Sequence, residues 1–477
     1  MTVTPFPAKL LQDRKSLHEL FVACQATARR KEHAQVVSLS LAIPAVDPLA
    51  VLERLRQPEH LHFYWEQRSQ QIAIAATEPV LQLQIDGPQR FTQAQRFICT
   101  SLVDTVTAGA LDLPCAGPHF FCSFTFFDET QRETRLFPAA TVFLPRWQVA
   151  RVRDQAVLVA NLLVDAQTNL VQLTDEVWRQ WQQLRSPQTN GRGTLQSAKL
   201  SSPVAADYPV LTETERFTTA VKNILQDIEA QGLQKLVLAH TLDVTVPEPP
   251  PLGHALATLR DRYPDCYVFS VSNGKGQAFM GASPERLIEL CDRNLVTDAL
   301  AGSAPRGQNL TEDTHLGTQL LGNPKDNHEH QVVLDFIQNC LWELGIQSQV
   351  SSPPHLLQLP NIQHLRTLVT AKIPQNLHLL EILEALHPTP AVAGAPQKIA
   401  QQQIRKHETF ERHLYAAPIG WVDHQGNGEF TVGIRSALID GCLTRLYAGA
   451  GIVAGSDPQR ELAEIQLKLH TLLDALV

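Results

Sequence analysis

Apolar positions along this chain recur with two different periods, and the switches between them outline its elements. VVSLSLAIPAV from position 36, HLHFYW from 60 and FFCSFTFF from 120 read as strands, being rich in β-branched and aromatic residues. FTQAQRFICTSLVDTVT from 91 carries helical spacing instead. Farther on, Thr212 to Glu215 form a capping-box pattern, and Phe217, Val221, Ile224, Leu225 and Ile228 follow at helical spacing as far as Gly232. KLVLAHTLDVTV predicts a strand from Lys235 that ends at the prolines of 247–251. YVFSVS and QAFMGA flank NGKG, which is a hairpin signal. GWV, EFTVGIRSALI and CLTRLYAGAGIV, joined by DHQGNG and Asp440-Gly441, predict an antiparallel meander, and a last helix covers roughly 458–476. Runs of antiparallel strands followed by helices make the fold class α+β.

Composition narrows the function classes. The 477 residues are 44% hydrophobic and 18% charged, a globular balance. The net charge of −8 comes without a clustered basic face, which argues against a nucleic-acid partner. No apolar run approaches the ~20 residues that span a bilayer, so no membrane role is expected. The opening MTVTPFPAKLLQDRK lacks the apolar stretch of a signal peptide and the Arg/Ser-rich look of a transit peptide. The eight cysteines contain no CxxC and read as reduced, mostly buried thiols; the expected compartment is the cytoplasm. Residues 1–185 hold no recognisable chemical constellation and read as a scaffold lobe. The Ser/Gly/Pro/Gln-rich stretch beginning at 186 marks a linker drawn at 186–205, which leaves 206–477 as the catalytic region.

Two predicted helices carry the informative acids. In KDNHEHQVVLDFIQNCLWEL, Val333, Phe336, Ile337, Cys340 and Leu341 share one face, and Glu329 and Asp326 extend it at helical spacing. In RELAEIQLKLHTLLDAL, Glu461, Glu464 and Lys468 form a stripe beside Ile465, Leu469 and Leu472. Carboxylates turned towards a core are unfavourable unless a cation neutralises them, and oxygen ligands without nearby cysteine suit Mg²⁺. The same acids also suit helix capping or a solvated face. Arg435 in VGIRS, within a predicted strand, suits bidentate carboxylate binding or a structural ion pair. Gly449 and Gly451 would let backbone N–H groups approach an anion, or would form a bulge. Lys235 opens a buried-looking strand, where desolvation suits an amine to act as a base, or is a strand-edge charge. Residue types alone reach a Mg²⁺ site beside an anion site.

Together these motifs resemble the chorismate-binding enzymes: anthranilate synthase large subunits, aminodeoxychorismate synthases, salicylate synthases and isochorismate synthases. The resemblance runs from about 210 to 475 through KLVLAH (235–240), GASPERL (281–287), ALAGSAPRG (299–307), KDNHEH (325–330), LHPTPAVAG (386–394), VGIRS (432–436), AGAGIV (448–453) and ELAEIQLK (461–468). It implies an anthranilate-synthase-like, two-lobed antiparallel β-sandwich core surrounded by helices, acting on chorismate. It implies Glu329 and Glu464 as Mg²⁺ ligands supported by Asp326 and Glu461, and Arg435 and Tyr415 on the enolpyruvyl carboxylate. Lys468 and the Gly449 backbone would hold the ring carboxylate, with Gly302, Ser303, His364 and Ala391 lining the site.

Variable positions within the family side with the isochorismate synthases. Lys235 stands where anthranilate synthases carry glutamine, Glu285 is the matching acid, and Ala301 replaces the nucleophilic lysine of aminodeoxychorismate synthases. His240 departs from the arginine common in that motif, as does Ala304 from another frequent arginine. The implied reaction is a 1,5-substitution: Lys235 takes a proton from water attacking C2, and Glu285 protonates the departing C4 hydroxyl. A monomer without a glutaminase subunit is expected, and the product is expected to feed menaquinone or phylloquinone formation. Salicylate synthase, which adds pyruvate elimination, and a non-catalytic chorismate-binding relative are the competing readings.

Overall fold

The computed structural model describes residues 4–5, 13–129, 136–185 and 211–476, so the linker expected at 186–205 lies outside the described residues. The helix Leu211–Gln231 already contains Thr212, which therefore does not stand at its cap as the sequence pattern suggested.

The strands form one hydrogen-bonded network whose pairings are antiparallel, except that Val106–Gly109 runs parallel to Thr4–Pro5 and to Gln35–Ile43. The N-terminal strands join it directly to the later ones. His62–Gln67 pairs on one side with Ile72–Ile85 and on the other with Tyr267–Ser272. His119–Phe124 likewise pairs with Ala140–Val152 and with Pro418–Asp423. Aromatic side chains fill the join: Phe63 packs on Phe121 with centroids 4.5 Å apart, and Trp65 on Tyr267 at 5.0 Å. Burying each such ring contributes about 1.5–3 kcal/mol, so the two sequence regions share one core. A smaller core lies under the helices Arg14–Lys31 and Leu170–Arg185, where Leu20, Phe21, Val177 and Trp181 meet.

The expected hairpin forms, with Tyr267–Ser272 against Gln277–Ser283. The expected C-terminal meander does not run through. Pro418–Asp423 pairs with Gly428–Val432, and Ser436–Asp440 with Leu443–Val453. The two hairpins then part company: Gly428–Val432 adds to Arg286–Cys291, whereas Ser436–Asp440 adds to Gln277–Ser283. The chain crosses between them at Gly433–Arg435, so Arg435 stands outside any strand, at φ 48°. Its carbonyl accepts from the Ala282 amide at 3.1 Å, which fixes the crossing. Apolar residues continue on both sides of the break, and hydrophobic period alone does not reveal a change of strand partner.

Candidate active site

Two helices and four strands bring most of the chemistry together. Asn323 caps the helix Pro324–Glu343 by accepting from the Lys325 and Asp326 amides, and Pro324 occupies its first turn. Val333, Ile337 and Leu341 bury its inner face, which fixes the rotation of Glu329 one turn before Val333. Ile465, Leu469 and Leu472 do the same for Glu464 on the helix Pro458–Leu476. Between them the strand Lys235–Thr245 pairs with Leu443–Val453, setting Gly451 opposite Val237 and Gly449 opposite Ala239.

These elements enclose one cleft. Eleven of the twelve residues expected from the sequence line it. Glu329, Glu464 and Lys468 come from the helices, and Gly302, Ser303 and His364 from two paired strands. Glu285, Ala391, Tyr415, Arg435 and Gly449 complete the set. The twelfth, Lys235, is buried behind this wall, 1% exposed, with its ammonium 2.8 Å from Glu329 Oε1.

The glycines make room for their neighbours. A Cβ on Gly451 would lie 2.6 Å from Glu329 Oε1 and 3.1 Å from Lys235 Cε; one on Gly449 would lie 2.8 Å from the Tyr415 hydroxyl. It is the Gly449 carbonyl that is engaged, accepting from Lys468 Nζ at 2.8 Å.

Charge is distributed unevenly. Lys468 pairs with Glu464 at 2.7 Å, and Ser303 Oγ donates to the same oxygen at 3.0 Å. Burial is the largest influence on Glu464 and raises its pKa, but Lys468 and the two hydrogen bonds together leave it lowered. Burial, then the Glu329 charge, pushes Asp326 up to about 6, and burial also raises Glu461 although Lys325 lies 3.2 Å away. Glu285, 4% exposed, is pushed up to about 8 mainly by burial, with Asp298 adding to the rise and Lys235 opposing it. Burial, then the Arg435 and Lys468 charges, bring His364 down to about 3, so it stays neutral and accepts from Arg435 Nη2 at 3.0 Å.

Among the described residues, no three His, Cys, Asp or Glu side chains form a group that could hold a metal by themselves. The four acids nevertheless line one recess that opens on the cleft through Glu329 and Glu464. Two carboxylates, with waters and a ligand carboxylate, are the donor set Mg²⁺ accepts, so the residues fit that ion.

Sequence reasoning missed the support behind the cleft. Arg412, fully buried, holds Glu408 through two nitrogens, caps the Val237 and Val392 carbonyls at 2.8 Å each, and lies over Phe126. Glu408 in turn accepts from the Ala239 amide at 2.8 Å. The segment Gly394–Ala395 pairs with Lys235 and Leu236. A Glu and an Arg four apart in HETFER were the only signal, and such pairs are far more often exposed.

A profile of the chorismate binding enzyme family matches residues 21–477. The chain is 31% identical to the salicylate biosynthesis isochorismate synthase of Pseudomonas aeruginosa, over 98% of this chain and 96% of that one. Its fold matches the menaquinone-specific isochorismate synthase MenF of Escherichia coli with a TM-score of 0.75 and 28% identity, covering 96% of this chain and 100% of that one. It also matches anthranilate synthase component I of Streptococcus pneumoniae with a TM-score of 0.66 and 19% identity, covering 84% and 92%, a likeness of fold alone.

Proposed function

Since this chain belongs to the chorismate-binding enzyme family, we propose that it is an isochorismate synthase, interconverting chorismate and isochorismate with Mg²⁺. The observation that carries the reading is one cleft flanked by a buried lysine, Lys235, and a buried carboxyl, Glu285, that keeps its proton up to about pH 8.

In this reading Arg435 and the Tyr415 hydroxyl hold the enolpyruvyl carboxylate, while Lys468 faces the ring carboxylate. Glu329 and Glu464 would hold Mg²⁺, which supplies charge neutralisation for that carboxylate. Lys235 first releases a proton to solvent and leaves Glu329, and as the neutral amine it takes the proton of a water as the water oxygen bonds to C2. Both ring double bonds shift by one position, the C4–O bond breaks, and Glu285 gives its proton to the departing hydroxyl. One water enters and one leaves, so the reaction is an isomerisation and runs both ways.

The described lining of the cleft begins at Val237, which supports residues 1–185 as a scaffold lobe and 206–477 as the catalytic region. Likeness to MenF supports use of the product for menaquinone or phylloquinone. Water rather than ammonia is the nucleophile, so no glutaminase subunit is required, and the enzyme acts as a cytoplasmic monomer. Among the described residues no helix is long and apolar enough to cross a membrane. Incubation with chorismate and Mg²⁺, followed by chromatography and mass measurement, should give a new species of chorismate's mass. Unchanged chorismate, or a product that has lost mass, would overturn the assignment.

A further inference from the structure

A second hollow, of about 230 Å³, lies along the strand Lys235–Thr245 and shares no lining residue with the substrate cleft. Phe217 and Phe410 give it flat apolar walls, and Arg216, His240, His407 and Arg445 give it a basic lining. Both of its acids are already engaged: Asp243 binds Arg445 through both oxygens at 2.6 and 2.7 Å, and Glu408 binds Arg412. Arg216, by contrast, has no ion pair among the described residues and is exposed at the rim. His240 packs 5.9 Å from Phe217.

The hollow is separated from the substrate cleft by one layer of side chains. The Phe410 ring lies 6.1 Å from Tyr447, which stacks on Tyr415 at 5.1 Å. Glu408, on its wall, positions Arg412 and through it the carbonyls of Val237 and Val392, both residues of the substrate cleft.

We propose that this hollow is a second ligand site for a small planar carboxylate of the aromatic-acid class, whose binding alters turnover through the shared wall. An aromatic ring against the apolar lining, with its carboxylate on the Arg216 guanidinium, suits both features. The proposal rests on the isochorismate synthase reading only for the ligand that fills the substrate cleft.

Salicylate, a fluorescent aromatic acid, is the probe. The full chain is first assayed for chorismate conversion without it, so failure of the functional reading is seen separately. Salicylate is then titrated at the saturating chorismate–isochorismate equilibrium with Mg²⁺, which keeps the substrate cleft filled. Saturable binding of one salicylate per chain is expected, with a change in kcat. Arg216→Ala should weaken that binding about tenfold, the worth of one charge-assisted hydrogen bond. Ala220→Trp, which fills the hollow, should abolish it, and both variants should keep wild-type kcat without salicylate. Inhibition purely competitive with chorismate, binding indifferent to both substitutions, or binding that leaves kcat unchanged would each overturn the proposal.

Discussion

The Lys235 ammonium lies 2.8 Å from Glu329 Oε1, so the base of the proposed reaction is held by a carboxylate proposed to bind the metal. The lysine side chain is 1% exposed and the glutamate 13%. Base and metal shell therefore share one charge balance, and a change to either is felt by the other.

Removing Glu329 leaves a buried cation without its partner. Glu329→Gln, measured without Mg²⁺, should lose about 3 kcal/mol of stability, whereas Glu464→Gln, from a more exposed pair, should lose no more than about 1 kcal/mol. Both should lose Mg²⁺-dependent turnover. Denaturant unfolding beside activity against Mg²⁺ concentration checks the pair. Equal stabilities would mean that Lys235 is held by something other than Glu329.

Lys235→Gln should abolish water addition at C2, because an amide does not accept a proton at neutral pH. Chorismate binding, held by Arg435 and the metal site, should persist in calorimetry. Turnover near the wild-type rate would remove Lys235 from the mechanism.

The acid arm has a pH signature. Glu285 sits at about 8 in the fold against an ordinary 4.5, so it is protonated, and able to donate, below about 8. kcat should fall as pH rises through that value. Asp298 contributes to the rise, so Asp298→Asn should move the alkaline limb to lower pH. The linkage has the same sign: the raised carboxyl contributes stability that is fully present below 4.5 and is lost as pH rises through about 8. An alkaline limb that stays in place in Asp298→Asn would mean that another group carries it.

How far the sequence reaches can be judged on particular residues. Glu329 and Glu464 were legible because helical spacing ties each acid to an apolar stripe that the fold buries. The crossing at Arg435 was not, since alternation records which face is buried and not which strand lies alongside. Lys235 was legible as buried, but its place behind Gly451 depends on a cross-strand register set elsewhere in the chain. Arg412 escaped notice because its partners, Val237 and Val392, come from distant segments, and only the folded chain brings those carbonyls to one guanidinium.

Whether the reaction stops at isochorismate depends on the wall around the enolpyruvyl group. Salicylate formation requires that group to reach a geometry for hydrogen transfer and C–O cleavage. Ala391, Val392, Ile434 and Tyr447 all line the cleft, beside Tyr415 and Arg435. Three are aliphatic, and Tyr447 lies flat against Tyr415, 13° from parallel, so its ring serves as a wall. No acid or base among these four could assist the loss of pyruvate. Chorismate should therefore equilibrate with isochorismate, added isochorismate should run back to chorismate, and pyruvate release should stay negligible. A lactate-dehydrogenase-coupled assay reads pyruvate directly. Pyruvate appearing in step with chorismate consumption would make this chain a salicylate synthase, and would mean that an apolar wall is no barrier to elimination.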